Sequence, residues 1–195
     1  MPRRNEIEIR SSQHFELRAD EGQQIRVGGY AAVFNERAEI GGYFIEVFAP
    51  GAFREALERD DVVFLANHDG LPMARTSSGT LTLGEDDRGL SIATELDPDD
   101  PDVRAIVPKM RRGDLDKMSI AFIAEREEWD ETGDIPVRTV LQAGLRDVSI
   151  VTRPAYDSTE IGLRSLDAFR SSRAPRKQNM RRQRLLAANL RAKTA

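Results

Sequence analysis

Two stretches decide how this chain folds: Lys117-Met118-Ser119-Ile120-Ala121-Phe122-Ile123-Ala124 and Arg138-Thr139-Val140-Leu141-Gln142-Ala143-Gly144-Leu145-Arg146-Asp147-Val148-Ser149-Ile150-Val151. Both are rich in the β-branched and apolar residues that suit a pleated, largely buried strand. A charged stretch separates them, and Thr132-Gly133-Asp134 within it reads as the tip of a hairpin. The reading is therefore a β-protein with two long strands near its C-terminal end.

Working back toward the N-terminus, short β-rich runs punctuated by glycine recur at Glu6 to Arg10, Ile25 to Phe34 and Tyr43 to Phe48. Further strands are expected at Asp61 to Ala66, Thr80 to Leu83 and Gly89 to Leu96, with Asp86-Asp87-Arg88-Gly89 as the turn between the last two. Helices are fewer. One follows Pro50, with Phe53, Ala56 and Leu57 on a face that plugs one end of a sheet. Another starts at Pro101 with Val103, Ile106, Val107 and Met110 at helical spacing and stops at Gly113; Pro108 should bend or shorten its last turn. The fold class is α+β and mainly β.

A chain of 195 residues supports one domain plus a tail. The net charge of -4 hides a division. Residues 164–195 carry ten Lys or Arg against Asp167 alone, giving +9; the other 19 basic and 32 acidic side chains give residues 1–163 a charge of -13. We therefore expect a body over residues 1–163 and a basic, flexible tail over 164–195, in which residues 185–190 could form a short amphipathic helix against a partner. An acidic body argues against nucleic acid as its ligand, because phosphate binding needs a basic face. The absence of cysteine excludes disulfides, a thiol nucleophile and cysteine-ligated metal. No apolar stretch is long enough for a membrane span, and the N-terminus carries no apolar signal run, so a soluble protein that stays where it is made is expected.

Only His14 and His68 are available for histidine chemistry. His68 is the better placed, directly after the apolar run Val62-Val63-Phe64-Leu65 and between Asn67 and Asp69, residues of a tight turn. Ser119 lies in a strand whose other face is apolar, and Asp147 sits among Leu145, Ile150 and Val151, where a buried charge needs a partner. Each has a plainer reading as well. The histidine can be structural, the serine a tolerated small residue, and the aspartate paired with Arg146 or Arg153 on an exposed face.

Three blocks taken in order raise the chemical reading. Phe64-Leu65-Ala66-Asn67-His68-Asp69, Met118-Ser119-Ile120-Ala121-Phe122 and Leu145-Arg146-Asp147-Val148-Ser149-Ile150-Val151-Thr152-Arg153-Pro154-Ala155 together resemble the prohead maturation proteases of tailed phages. Gly29-Tyr30-Ala31-Ala32-Val33-Phe34 and Pro50-Gly51-Ala52-Phe53 support the likeness, which covers roughly residues 5–163. The resemblance implies a herpesvirus-assemblin-like β-barrel surrounded by a few helices. It implies a serine endopeptidase with Ser119 as nucleophile, His68 as general base and Asp147 as the acid that orients it, with no metal or organic cofactor. It also implies the major capsid protein, its scaffold region and the protease itself as substrates, a homo-oligomer without membrane or specific nucleic-acid partners, and a place in the host cytoplasm inside the immature prohead. Two positions depart from the family pattern: Ala121 where glycine is common, and Asp147 where glutamate is common. Oxyanion donors are left open among backbone N–H groups, Arg153 and Arg75. Two rivals predict different behaviour: an idle assembly protein of the same fold, and a nucleic-acid binder acting through the tail.

Overall fold

The two long strands pair with each other and form the spine of the molecule. The computed structural model describes residues 6–12, 14–19, 25–152 and 159–173. In this structure β1 (Glu8–Ser12), β4 (Ala38–Ile40), β5 (Phe44–Phe48), β6 (Val63–Ala66), β7 (Asp69–Arg75), β10 (Lys117–Asp130) and β11 (Val137–Val151) form one sheet. A second sheet holds β2 (His14–Ala19), β3 (Ile25–Val33), β9 (Gly89–Leu96) and β8 (Leu81–Glu85) in that order. Three helices complete the described chain: α1 (Arg54–Arg59), α2 (Pro101–Arg112) and α3 (Thr159–Arg173).

The strand β11 serves two neighbours in succession. Its first part runs parallel to β5, with Arg138 opposite Glu46, and its last part runs parallel to β6, with Ser149 opposite Leu65. On its other side it pairs antiparallel with β10, which in turn carries β1 at the sheet edge. Between the sheets, Met118, Ile120, Phe122, Val148 and Ile150 meet Val27, Ala31, Leu90 and Ile92 in a continuous apolar core. The helix α1 closes one end as expected: Ala52, Phe53 and Ala56 are buried, and the Phe53 ring lies 6.1 Å from Phe34 and 5.2 Å from Phe48.

The ladders differ from a closed barrel. Among the described residues the sheets are linked by a single parallel bridge, Phe34 to Phe48. Asn35 then takes a left-handed conformation, φ 59°, which turns the chain away before a second rung can form. Pro108 does not shorten α2, which continues to Arg112 and ends on Gly113 at φ 79°. Pro108 and Arg104, whose carbonyl loses its helical donor, are both exposed, so solvent can take the lost bond. The charged residues 125–130 are strand rather than loop because their charges and rings find partners across the sheet.

The boundary expected at residue 163 falls inside α3. Leu166 is buried against Ile40, Phe44 and Trp129, with Phe169 packed on them, so packing continues past residue 163 along the first part of this helix. Gly162 permits the contact, since a Cβ there would lie 2.3 Å from the Phe44 ring. Residues 174–195, with the short helix expected at 185–190, lie outside the described residues.

A network of charges is buried beneath α3. The Arg138 guanidinium donates to Glu8 at 2.6 and 2.8 Å, to Glu46 at 2.9 Å and to Glu127 at 2.6 Å. Arg10 adds bonds to Glu46 and Glu8, each at 2.9 Å. Burial by itself would push the Arg138 guanidinium down, but its hydrogen bond with Glu8 and the charges of Glu46, Glu8 and Glu127 hold it above its ordinary value. Burial would likewise push the Glu127 carboxyl up; the Arg138 charge and hydrogen bonds from Ser165, Arg138 and Trp129 outweigh it and hold the group below its ordinary value. A depressed carboxyl stabilises the fold fully above its unfolded value and loses that contribution as acid titrates it through the folded one.

Removing Arg138 leaves Glu8 and Glu46 short of a counter-charge in a dry environment. Arg138→Met is expected to destabilise the fold by about 3–5 kcal/mol, read as the shift in a urea unfolding midpoint. A loss below about 1 kcal/mol would mean that the network is solvated after all.

Candidate active site

The apolar run at β6 is fixed by burial of Phe64 and Leu65, and it ends in a two-residue hairpin that pairs Ala66 with Asp69. The hairpin needs positive φ at both of its central residues, which are Asn67 at 53° and His68 at 59°. Asn67 is anchored to β11 and to the residue that follows it: its N–H donates to the Ile150 carbonyl at 2.9 Å, and its side-chain oxygen accepts from Thr152 N–H at 3.2 Å. The turn that carries His68 is thus held against the strand that carries Asp147.

A β-bulge aims the aspartate. Phe122 pairs with Leu145 and Ala121 with Asp147, so Arg146 is the extra residue, unpaired and exposed. Without it, Leu145 and Asp147 would share a face, as residues two apart in a strand do. With it, Leu145 stays in the core while Asp147 joins Ser149 and Ser119 on the other face of the sheet.

These elements bring the three expected side chains together. The Ser119 hydroxyl lies 2.7 Å from His68 Nε2, and His68 Nδ1 lies 2.6 Å from Asp147 Oδ1. Ser119 is fully buried, while the His68 and Asp147 side chains keep 12% and 13% of their surface exposed. A site that is nearly dry but open at its rim suits a base that must exchange a proton with an incoming group. Asp147 is braced from a further side by the Ser149 hydroxyl, which donates to the same Oδ1 at 2.7 Å.

The Ser119 oxygen has one proton and two acceptors within reach, His68 Nε2 and the Arg10 carbonyl at 3.0 Å. When imidazole is neutral and Nδ1–H is given to Asp147, Nε2 is the free base and takes that bond. When imidazole is charged, Nε2–H donates to the hydroxyl and the seryl proton turns to Arg10. The arrangement can therefore hold the hydroxyl in either protonation state of the ring.

Comparison with known proteins fits this geometry. The profile of the caudovirus prohead serine proteases matches residues 13–172. The chain belongs to that family. The prohead protease of Enterobacteria phage HK97 is 28% identical over 158 residues, covering 78% of this chain and 66% of that protein, so this prohead protease family member spans just under two thirds of its relative's length. No solved structure matches.

Other side chains considered from sequence fall elsewhere in this family member. His14 is in β2, opposite Tyr30 in the second sheet. Arg75 pairs with Val63, at the far end of the β6 and β7 hairpin from His68, and its guanidinium is bound by Asp61 at 2.8 Å. Arg153 lies outside the described residues. Among the described residues no three His, Asp or Glu side chains converge to hold a metal ion. Sequence reading missed the bracing by Ser149 and the anchoring of Asn67. The first had a signal, since Asp147 and Ser149 are two apart in a strand and must share a face; the second depends on which strand lies beside the turn.

Proposed function

We propose that this chain is a serine endopeptidase that processes the capsid or scaffold protein, and itself, during maturation of a phage prohead. The observation that carries the reading is the unbroken relay from hydroxyl to imidazole to carboxylate, at 2.7 and 2.6 Å. An assembly protein with no chemistry to perform has no need of it.

In this reading Ser119 Oγ attacks a peptide carbonyl carbon while its proton passes to His68 Nε2. Asp147 holds the ring with Nδ1–H toward itself and stabilises the imidazolium that forms. The tetrahedral adduct collapses, the C–N bond breaks, and the leaving amine takes the proton from Nε2. Water then enters with His68 again as base, and the ester to Ser119 is hydrolysed. Family membership and the HK97 relative's name support the choice of substrate. We further assign the two unclosed sheets to an opened form of the assemblin barrel, self-association of the enzyme inside the prohead, and a role for the basic residues beyond α3 in binding an acidic scaffold or being removed by self-cleavage.

The test is chemical and works whatever the cleavage site. A fluorophosphonate probe added to the native chain, followed by peptide mapping, is expected to mark the peptide containing Ser119 and no other serine, and labelling should vanish on denaturation. Co-expressed capsid protein should be shortened in parallel. An unlabelled native chain with intact capsid protein would sink the reading.

A further inference from the structure

We infer that the Ser11 hydroxyl is a further catalytic group, a donor to the oxygen that becomes negative when Ser119 attacks. The inference rests on the protease reading above and assigns its missing oxyanion donor. The strand β1 pairs with β10 so that Ser11 lies opposite Ser119, and Ser119 lies opposite Ser149. Directly opposed residues point to the same face, so three hydroxyls stand in one row across three strands.

Two of the three are engaged. Ser149 is bound to Asp147, and Ser119 to His68 and the Arg10 carbonyl. The Ser11 oxygen is buried and has no hydrogen-bond partner, the only such side-chain oxygen or nitrogen among the described residues. A buried hydroxyl without a partner is unfavourable, and alanine would relieve that cost at no loss of packing. Its presence beside the nucleophile is accounted for if a partner arrives with the substrate.

The geometry allows this. Opposed residues in an antiparallel pair have Cα atoms about 4.5–5.5 Å apart. The oxygen of a tetrahedral centre bonded to Ser119 can therefore lie within hydrogen-bonding reach of Ser11. Of the two arginines considered from sequence, Arg75 is remote, since it is tied to Asp61 beyond the far end of β6. The strand is also held rigidly for the task, because Arg10 and Glu8 on its other face are fixed by Arg138 and Glu46. A preorganised donor aimed at developing charge is where such a bond has most effect.

The rate of fluorophosphonate labelling reads this contact directly. In that reaction the Ser119 oxygen forms a bond to phosphorus, fluoride leaves with the P–F electrons, and the seryl proton passes to His68. The phosphoryl oxygen gains negative charge in the transition state and takes the bond from Ser11. Ser11→Ala is expected to lower the labelling rate constant about 100-fold, with an unchanged pH dependence and an unfolding temperature equal to or above that of the unsubstituted chain. Ser11→Thr, which keeps the hydroxyl, should recover most of the rate. Labelling of the alanine variant at the original rate would overturn the assignment, as would a fall in rate matched by a fall in unfolding temperature in both variants. If the unsubstituted chain itself shows no labelling at Ser119, the protease reading fails and this inference with it; if it labels and only the Ser11 prediction fails, the protease reading stands.

Discussion

Ser119→Ala is expected to abolish fluorophosphonate labelling and to reduce peptide-bond cleavage by roughly 10^6-fold, while leaving the fold intact. The size follows from the chemistry. In the proposed mechanism no acyl ester forms without the hydroxyl, and neither His68 nor Asp147 can substitute, because both serve to move and balance one proton. The fold should survive because alanine fits the buried space and the neighbouring core residues Met118 and Ile120 are on the opposite face of the strand. The measurement is capsid-protein processing on co-expression, with circular dichroism as the control for folding. Processing at the original rate by a folded Ser119→Ala chain would remove this residue from the mechanism.

Asp147→Asn carries the second large effect, a loss of about 10^4-fold in the labelling rate with little change in structure. The carboxylate accepts from both His68 and Ser149 at one oxygen. An amide that turns its NH2 toward the ring favours the tautomer with the proton on Nε2, where it can no longer accept from Ser119; an amide that turns its oxygen still lacks the charge that balances imidazolium. Either way the base is weakened. Asp147→Glu keeps the charge and adds one methylene, so it should retain far more activity than the asparagine variant. An asparagine variant within tenfold of the original rate would move the orienting role to another group.

Both effects depend on a dry, braced site, and the bracing is spread across the fold. Arg138 and Glu46 secure β1, whose Arg10 carbonyl touches Ser119. Asn67 secures the turn that carries His68. A variant of Arg138 should therefore lose activity mainly through loss of folded protein, whereas variants of the relay itself should lose activity at constant stability.

Much of the fold was legible in the residues. The apolar runs gave β6, β9, β10 and β11, and the cap residues gave α2 with its stop at Gly113. What could not be read locally were the segments whose character comes from their neighbours. The charged end of β10 reads as a loop until Glu127 meets Arg138, and α3 reads as the start of a tail until Leu166 meets Phe44 and Trp129. The three side chains of the relay were named from sequence through the blocks that carry them; their spacing of 51 residues between His68 and Ser119 says nothing of contact by itself.

Local order along the chain sets the strand alternation that hides one face of β10, the tight turn after β6 and the blocks that mark the family. Packing between strands set the rest: the sheets stay unclosed, a bulge at Arg146 turns Asp147 toward Ser119, and the Ser11 hydroxyl, opposite Ser119, has no hydrogen-bond partner among the described residues. Each of these is a relation between strands distant in sequence, fixed by register and packing, and register is a property of pairs that no single strand carries.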